Sequence, residues 1–285
     1  MFTKITHRLA FSALALGLST SAAMAGCGPD PEPCEVPLGS YHISLPDGAT
    51  SDIPALMFLH GAGGTGNGST RPGSMSDNLN ARGYAVIGPN GLKRPNSRFG
   101  PGWSFHPERE AIRDEMAFFK QIADDAATRF GIDQDEIMLG GFSIGGSMAS
   151  YIACQDPTVF AAYVPVGGSF WRPHPTECAG PVKLLHTHGW KDKTVPLEGR
   201  PLGGGTIYQG DVWHAMTVWR AENGCDGLRA DTFDTAGDFW VRRWDECDAG
   251  TALEFILHPG GHGIPRGWST YAADWFETVM AQDLR

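Results

Sequence analysis

A serine flanked by glycines is the first candidate for chemistry in this chain of 285 residues. Residues 141–145, with the sequence Gly-Phe-Ser-Ile-Gly, follow an apolar run at 137–139 and lead into small and apolar residues. This order predicts a strand, a tight turn and a helix, and such a turn strains its serine so that the hydroxyl points outward. Glycines on both sides let the strand and the helix cross closely. We therefore interpret Ser143 as a nucleophile rather than as part of an ordinary glycine-rich turn.

A serine hydroxyl is a weak nucleophile near neutral pH, so it needs a base and an acid that orients the base. Downstream of Ser143, Asp192 follows an apolar run at 182–186, and His262 follows another at 253–257 between glycines. The order serine, aspartate, histidine matches one known arrangement of such a triad. We predict that His262 is the base and that Asp192 orients it.

Other acids and histidines compete for these roles. Asp192 could be an ordinary turn residue, and Asp211 and Asp238 are rival acids in less regular surroundings. The remaining histidines include His60 and a His186/His188 pair, which lie in or beside predicted strands. We expect these histidines to be hydrogen-bonded framework groups.

Ester or amide cleavage also needs donors for the oxygen that gains negative charge, each worth roughly 3–4 kcal/mol. One donor is predicted to be the backbone N–H of Ile144. The other is predicted in the glycine-rich loop 60–64, at Ala62, with Gly63 as the alternate. That loop lacks the Lys-Ser/Thr ending of a phosphate-binding P-loop, so a nucleotide role is disfavoured.

Tryptophans are frequent near the predicted site loops. A single tryptophan is often a core residue, but Trp103 and Trp190 lie in predicted loops rather than in periodic elements. We predict that these two rings line the substrate pocket, where they would suit an aromatic or sugar-linked ester.

The elements that must position these residues alternate between short apolar strands and amphipathic helices. This alternation predicts an α/β fold with a mostly parallel central sheet, helices on both faces and the site at the carboxyl ends of the strands. We predict strands at 41–45 (at the sheet edge), 55–60, 84–88, 137–140, 161–166, 182–186, 239–244 and 253–257, and helices at 112–130, 212–222 and 268–281.

The N-terminus has the features of an export signal. Residues 1–25 carry Lys4 and Arg8, a short apolar core and a small-residue cleavage site. An alternative is a lipoprotein signal that leaves Cys27 lipidated, although Met24 stands where such signals favour leucine. We predict a Pro-rich arm at 26–40 and one catalytic domain at 41–285.

Six cysteines in an exported chain suggest three disulfides. Proximity favours the pairs Cys27–Cys34, Cys154–Cys178 and Cys225–Cys247 among the 15 possible connectivities. The absence of a C-x-x-C pair argues against a zinc site. The net charge of −10, with no Lys/Arg cluster, argues against nucleic-acid binding. The sequence after residue 25 has no apolar run of membrane-spanning length, and the oligomeric state stays open.

Four segments together resemble a known family. Segments like these occur in the same order in secreted α/β-hydrolases of the poly(3-hydroxybutyrate) depolymerase and feruloyl esterase group, a group similar to carbohydrate esterase family one. The four segments are residues 59–64, residues 141–146, the Asp192 segment ending at Pro196, and residues 260–263. The resemblance, from about Cys34 onward, implies a cofactor-free carboxylic ester hydrolase with an acyl-enzyme at Ser143. It also implies a disulfide between Cys225 and Cys247, which resemble the late cysteine pair of that group.

The implied substrate is a small or oligomeric ester, either of a hydroxyalkanoate or of a feruloyl group linked to a plant polysaccharide. Many depolymerase-like members carry a cysteine where this chain has Ala62, and the short segment after His262 leaves no room for an appended polymer-binding module. Both features favour a soluble ester. Other acyl-transfer enzymes (a peptidase, a thioesterase or an acyltransferase) share the same acyl-enzyme, and a catalytically silent binding protein is a further alternative.

Overall fold

A ten-stranded sheet crosses the molecule, and the predicted site loops follow the carboxyl ends of its parallel strands. The computed structural model describes residues 26–95, 97 and 100–283, so the predicted export signal lies outside the described residues. The strands are β1 (Cys34–Val36), β2 (Gly39–Ser44), β3 (Ile53–Leu59), β4 (Ala85–Pro89), β5 (Ile132–Phe142), β6 (Ala162–Val166), β7 (Lys183–Gly189), β8 (Pro201–Leu202), β9 (Ile207–Tyr208), β10 (Thr232–Ala236), β11 (Phe239–Trp244) and β12 (Ala252–His258).

The helices lie between these strands. They are α1 (Asn67–Thr70), α2 (Met75–Asn80), α3 (Glu115–Phe130), α4 (Ile144–Gln155), α5 (Val212–Glu222) and α6 (Trp268–Asp283).

The strand order in the large sheet is β1-β2-β4-β3-β5-β6-β7-β12-β11-β10, and β8 and β9 form a separate antiparallel pair. The six strands from β4 to β12 pair in parallel, whereas β1, β2, β11 and β10 add antiparallel pairs at the two ends. The mostly parallel α/β class predicted from the alternating pattern is confirmed.

Both faces of the sheet are covered, which explains why the central strands read as continuous apolar runs. In β3, Met57 and Leu59 point into one core layer, which α3, α4 and α5 complete, whereas Leu56 and Phe58 point into the other. The second layer is completed by α2 and α6. This period-two alternation fixes the register of the strands that carry the site.

Two expectations about the N-terminal half were wrong. The strand predicted at 41–45 as an edge strand is β2, and β1 pairs outside it. Within the predicted arm at 26–40, Cys34–Val36 form β1, and β2 begins at Gly39. The helix predicted from Ile112 begins at Glu115, because the Asp114 side chain caps it by accepting the N–H of Ala117. Ile112 is an exposed residue before the helix.

Three disulfides brace the ends of these elements. They join Cys27 to Cys34, Cys154 to Cys178 and Cys225 to Cys247, the pairs that proximity favoured. The second and third bridges close loops of 24 and 22 residues, and each is worth about 3 kcal/mol in the chain-entropy account. Three disulfides suit an oxidising compartment. The sulfur of Cys27, which lipidation would modify, is bonded to Cys34.

Candidate active site

Ser143 occupies the turn between β5 and α4 with φ 59° and ψ −121°, a positive-φ backbone that non-glycine residues rarely adopt. Close packing holds this conformation. A Cβ on Gly141 would lie 2.5 Å from the carbonyl carbon of Gly145, and a Cβ on Gly145 would collide with the carbonyl oxygen of Leu59. Both glycines are thus required by the crossing of strand and helix, and the serine is presented at the carboxyl end of β5.

Asp192 and His262 reach Ser143 from the carboxyl ends of β7 and β12, two and three strands away from β5 across the sheet. Nε2 of His262 lies 2.9 Å from Oγ of Ser143, and its Nδ1 lies 2.7 Å from Oδ2 of Asp192. Because an ionised carboxylate can only accept, Nδ1 carries the proton and Nε2 is left to accept the hydroxyl proton. The structure therefore brings together the three side chains that were predicted from three distant segments.

Asp192 is held in its ionised form. Burial of its side chain would raise its pKa, but hydrogen bonds from His262 and from the N–H of Val195 outweigh burial and lower that pKa below its usual value. Its Oδ1 accepts the N–H groups of Thr194 and Val195, each at 2.8 Å. One carboxylate oxygen is thus fixed by the backbone, and the other is aimed at the imidazole.

A second histidine supports this turn, a feature that was not predicted. His188 donates its Nε2–H to the carbonyl oxygen of Val195 at 2.8 Å and lies 3.7 Å from Oδ2 of Asp192. Its Nδ1 then accepts from Nε2 of His186 at 3.2 Å. Burial lowers the pKa of both histidines, so they are neutral framework groups, as expected. The only signal in the sequence was their place in the strand before Asp192.

Two backbone N–H groups in the segments next to the serine have no hydrogen-bond partner among the described residues. They belong to Ile144, the first residue of α4, and to Ala62. Gly63, the alternate donor, already gives its N–H to the carbonyl oxygen of Pro101 at 2.9 Å. A Cβ on Gly61 would approach the Cβ of Ser143 to 3.4 Å, so the loop lies directly against the nucleophile. This geometry favours Ala62 over Gly63 as the second donor.

The ring of His60 holds the loop at 60–64 in place through two hydrogen bonds. Its Nε2 accepts the N–H of Gly91 at 2.9 Å, so its Nδ1–H donates to the carbonyl oxygen of Gly61 at 2.7 Å. Trp103 donates its indole N–H to the carbonyl oxygen of His60 at 2.9 Å and is 7% exposed. We therefore interpret Trp103 as a support of the loop, and its contact with substrate stays a prediction.

Trp190 has the opposite environment, since it is 55% exposed. It lies two residues before Asp192, and its backbone N–H donates to the carbonyl oxygen of His258 at 2.8 Å. The ring is free to meet a ligand beside the site. Sequence reasoning also missed the ring of Phe142, whose centroid lies 4.7 Å from that of His262 and limits the movement of the imidazole.

Neither a membrane helix nor a metal cluster is found in the parts of the chain that the structure describes. No described helix is long and apolar enough to cross a bilayer. Across residues 26–95, 97 and 100–283, no group of three or more histidine, cysteine or acidic side chains could hold a metal ion.

The parallel sheet, the strained serine at the end of β5 and the histidine and aspartate after β12 and β7 define the α/β-hydrolase class. Comparison with known proteins agrees. A family model described as phospholipase/carboxylesterase matches residues 44–202. Feruloyl esterase C of Emericella nidulans is 28% identical over 272 residues, covering 89% of this chain and 90% of that protein.

Solved structures show the same fold. Acetyl xylan esterase from Aspergillus awamori superposes with a TM-score of 0.64 at 16% identity, covering 84% of this chain and 93% of that one. A Bacillus cereus carboxylesterase gives 0.54 at 15% identity, with coverage of 84% and 93%. The chain belongs to the phospholipase/carboxylesterase family, in the feruloyl esterase group of α/β-hydrolases, and is a serine carboxylic ester hydrolase.

Proposed function

We propose that the chain hydrolyses esters through a Ser143–His262–Asp192 triad and an acyl-enzyme. The observation that carries the proposal is the continuous hydrogen-bonded chain from Ser143 Oγ through both imidazole nitrogens to Asp192 Oδ2, at 2.9 and 2.7 Å. Each contact has the polarity that general-base activation of a serine requires.

In the first half-reaction, Oγ of Ser143 attacks the ester carbonyl carbon while Nε2 of His262 takes the hydroxyl proton. The carbonyl oxygen becomes an oxyanion and is stabilised by the N–H groups of Ile144 and Ala62. As the C–O bond to the alcohol breaks, His262 returns the proton to the leaving oxygen. The acyl group stays on Ser143, and Asp192 stabilises the imidazolium that forms between these two transfers.

In the second half-reaction, a water molecule loses a proton to Nε2 of His262 and attacks the acyl carbon. The same two N–H groups stabilise the second oxyanion, each contributing about 3–4 kcal/mol to the transition state. Collapse releases the carboxylic acid, and the proton on His262 returns to Ser143. No step draws on a group outside the protein, the ester and water.

For the substrate, we propose a feruloyl-type ester linked to a plant polysaccharide. Support comes from the likeness to feruloyl esterase C along 89% of the chain and from the exposed indole of Trp190, which lies two residues before Asp192 in the sequence. A hydroxyalkanoate ester is the competing substrate. Peptide, thioester and acyl-acceptor reactions compete at the level of the reaction, because the same acyl-enzyme serves them all.

The test is a panel of methyl ferulate, hydroxybutyrate oligomers, a thioester and a peptide, each assayed with the wild type and with Ser143→Ala. We expect methyl ferulate to be cleaved most efficiently and Ser143→Ala to lose this activity. Cleavage of hydroxybutyrate oligomers in preference to methyl ferulate would overturn the substrate proposal. Activity that survives Ser143→Ala would overturn the triad.

We further propose that residues 1–25 are removed on export and that 41–285 form one catalytic domain, whose sheet the preceding arm at 26–40 extends through β1. The cross-linked cysteines support export, because such bonds persist in oxidising compartments. Intact mass and N-terminal sequencing of the exported protein test this. A mature chain that starts at Gly26 is expected, and one that starts at Met1 would contradict it.

A further inference from the structure

Three aromatic rings remain exposed together at one end of the sheet. Trp190, Phe233 and Trp240 are 55%, 53% and 42% exposed. They line a cleft of about 700 Å³ together with polar side chains. We call this feature the aromatic cleft and define it by Trp190, Phe233, Thr235, Trp240 and Arg242. A contiguous group of exposed large rings marks a binding surface more often than an accident of folding.

The register of the sheet explains why these rings share one face. Trp240 and Arg242 of β11 pair with Leu257 and Phe255 of β12, and Phe233 of β10 pairs with Arg242. Directly opposed residues of neighbouring strands point to the same side of a sheet. The side chains therefore form a row that runs outward from β12 across the last two strands.

Helix α5 covers only the inner part of this row. Its Trp213 packs edge-on against Phe255, with the ring centroids 5.4 Å apart. Trp240 and Phe233, on the two strands beyond β12, keep their rings open to solvent. The exposed rings are thus the continuation of the core face past the last helix that packs on it.

The aromatic cleft is continuous with the candidate active site through Trp190. The rings of Trp190 and Trp240 lie 6.3 Å apart at 75° to each other. The backbone N–H of Trp190 donates to the carbonyl oxygen of His258, the last residue of β12 before the His262 loop. Asp192 lies two residues after Trp190 in the sequence. A ligand held in the cleft would therefore lead toward the triad along the ends of β7 and β12.

We propose that the aromatic cleft binds the polysaccharide part of an ester substrate and extends the active site by several sugar units. The inference rests on the proposed function for its link to catalysis. Sugar rings present apolar C–H faces that stack on indole and phenyl rings, and their hydroxyls both donate and accept.

The polar lining on this face suits a sugar chain better than a polyester. Thr235 pairs with Trp240, and its hydroxyl can both donate and accept, whereas the guanidinium of Arg242 only donates. Sugar hydroxyls satisfy both groups, whereas a polyhydroxyalkanoate offers carbonyl acceptors and no donor for the oxygen of Thr235. Asp234 pairs with Val241, so its side chain points to the opposite face of the sheet. Arg242 also lies over Phe233, 5.2 Å from its ring centroid, so its charge is already positioned within the cleft.

The binding test uses the full chain with Ser143→Ala, so that the ligand is not consumed. Affinity electrophoresis in gels containing soluble arabinoxylan compares this protein with versions that also carry Trp240→Ala or Phe233→Ala. Loss of one stacked ring is expected to weaken binding roughly 3- to 10-fold. Tyr208→Ala is the matched control, because Tyr208 is an aromatic residue of 40% exposure outside the cleft. Circular dichroism verifies that each variant is folded.

The activity test uses the active enzyme with Trp240→Ala. We expect kcat/KM for p-nitrophenyl acetate to stay within about twofold, because the small ester does not reach the cleft. For feruloylated arabinoxylan, KM should rise roughly 3- to 10-fold. An equal loss on both substrates would contradict a polymer site and indicate distortion of the triad.

Several results would overturn the proposal. The first is that Trp240→Ala and Phe233→Ala bind arabinoxylan as tightly as the Tyr208→Ala control does. The second is that the protein binds polyhydroxybutyrate granules in place of arabinoxylan. The third is that the wild type sediments as a dimer and both cleft variants sediment as monomers. If the cleft variants lose arabinoxylan while the wild type cleaves no ester, the proposed function fails and the cleft stands.

Discussion

Replacing Asp192 with asparagine removes the charge but preserves the shape of the side chain, and the structure predicts how the amide would orient. Oδ1 of Asp192 accepts two backbone N–H groups, from Thr194 and Val195, each at 2.8 Å. Only an oxygen can occupy that position. The amide nitrogen of the new side chain would then face Nδ1 of His262, where the carboxylate Oδ2 now lies at 2.7 Å.

This orientation forces His262 into the wrong tautomer. With an N–H donor opposite it, Nδ1 must accept, so Nε2 carries the proton and points a donor at Ser143 instead of an acceptor. Turning the amide around restores the tautomer but sets its NH₂ against two N–H donors. Leaving both of those donors unsatisfied costs about 2–3 kcal/mol each, or about 4–6 kcal/mol together. At 1.36 kcal/mol per tenfold, kcat should fall by roughly 10³- to 10⁴-fold.

The assay is steady-state hydrolysis of methyl ferulate and p-nitrophenyl acetate by Asp192→Asn, with thermal unfolding as the check on folding. Asp238→Asn is the matched control, because this rival aspartate is exposed in the turn between β10 and β11, and its kcat should stay within about twofold. A folded Asp192→Asn enzyme within tenfold of the wild type would refute the reasoning.

Three further perturbations test the framework of the site. Gly145→Ala places a Cβ against the carbonyl oxygen of Leu59, and we expect a loss of about 3 kcal/mol in urea unfolding; an unchanged midpoint would contradict the tight crossing. Glu115→Gln breaks a buried ion pair with Arg113 at 2.7 Å and should cost about 3–5 kcal/mol in the same experiment, so a loss under about 1 kcal/mol would argue against that pair. Burial lowers the pKa of His186 well below that of a free histidine. Below about pH 6.5 the unfolded chain therefore binds a proton that the folded protein does not, and the free energy of unfolding should fall by up to about 1.4 kcal/mol per pH unit. The slope should be shallower in His186→Gln.

The central strands could be predicted because both of their faces are buried. An apolar run is then the whole signal, and β6, β7 and β12 begin or end within a few residues of the predicted runs. β10 escaped prediction, since most of its side chains are exposed and its pairing with β11 depends on tertiary contact. β1 escaped for a similar reason, because three residues of a Pro-rich segment gain their strand only by pairing with β2.

At the site, the sequence indicated Ser143 and His262 by the glycines around them and Asp192 by its place after an apolar run. These signals are local, because each belongs to one turn at the end of one strand. The support around Asp192 could not be read in the same way. The hydrogen bond of His188 to Val195 joins residues seven positions apart through a turn whose shape no periodicity describes. The hydrogen bond from Trp103 to the carbonyl oxygen of His60 is a further example, since it joins two loops that are 43 residues apart in the sequence.

The most direct measurement is covalent labelling of the full chain by a fluorophosphonate, followed by intact mass and peptide mapping. A strained serine that is activated by His262 and faces two free N–H groups should react once per molecule, at Ser143. Ser143→Ala should stay unlabelled, and His262→Ala should react far more slowly. A folded wild type that takes up no label, or takes it up at another residue, would contradict the account.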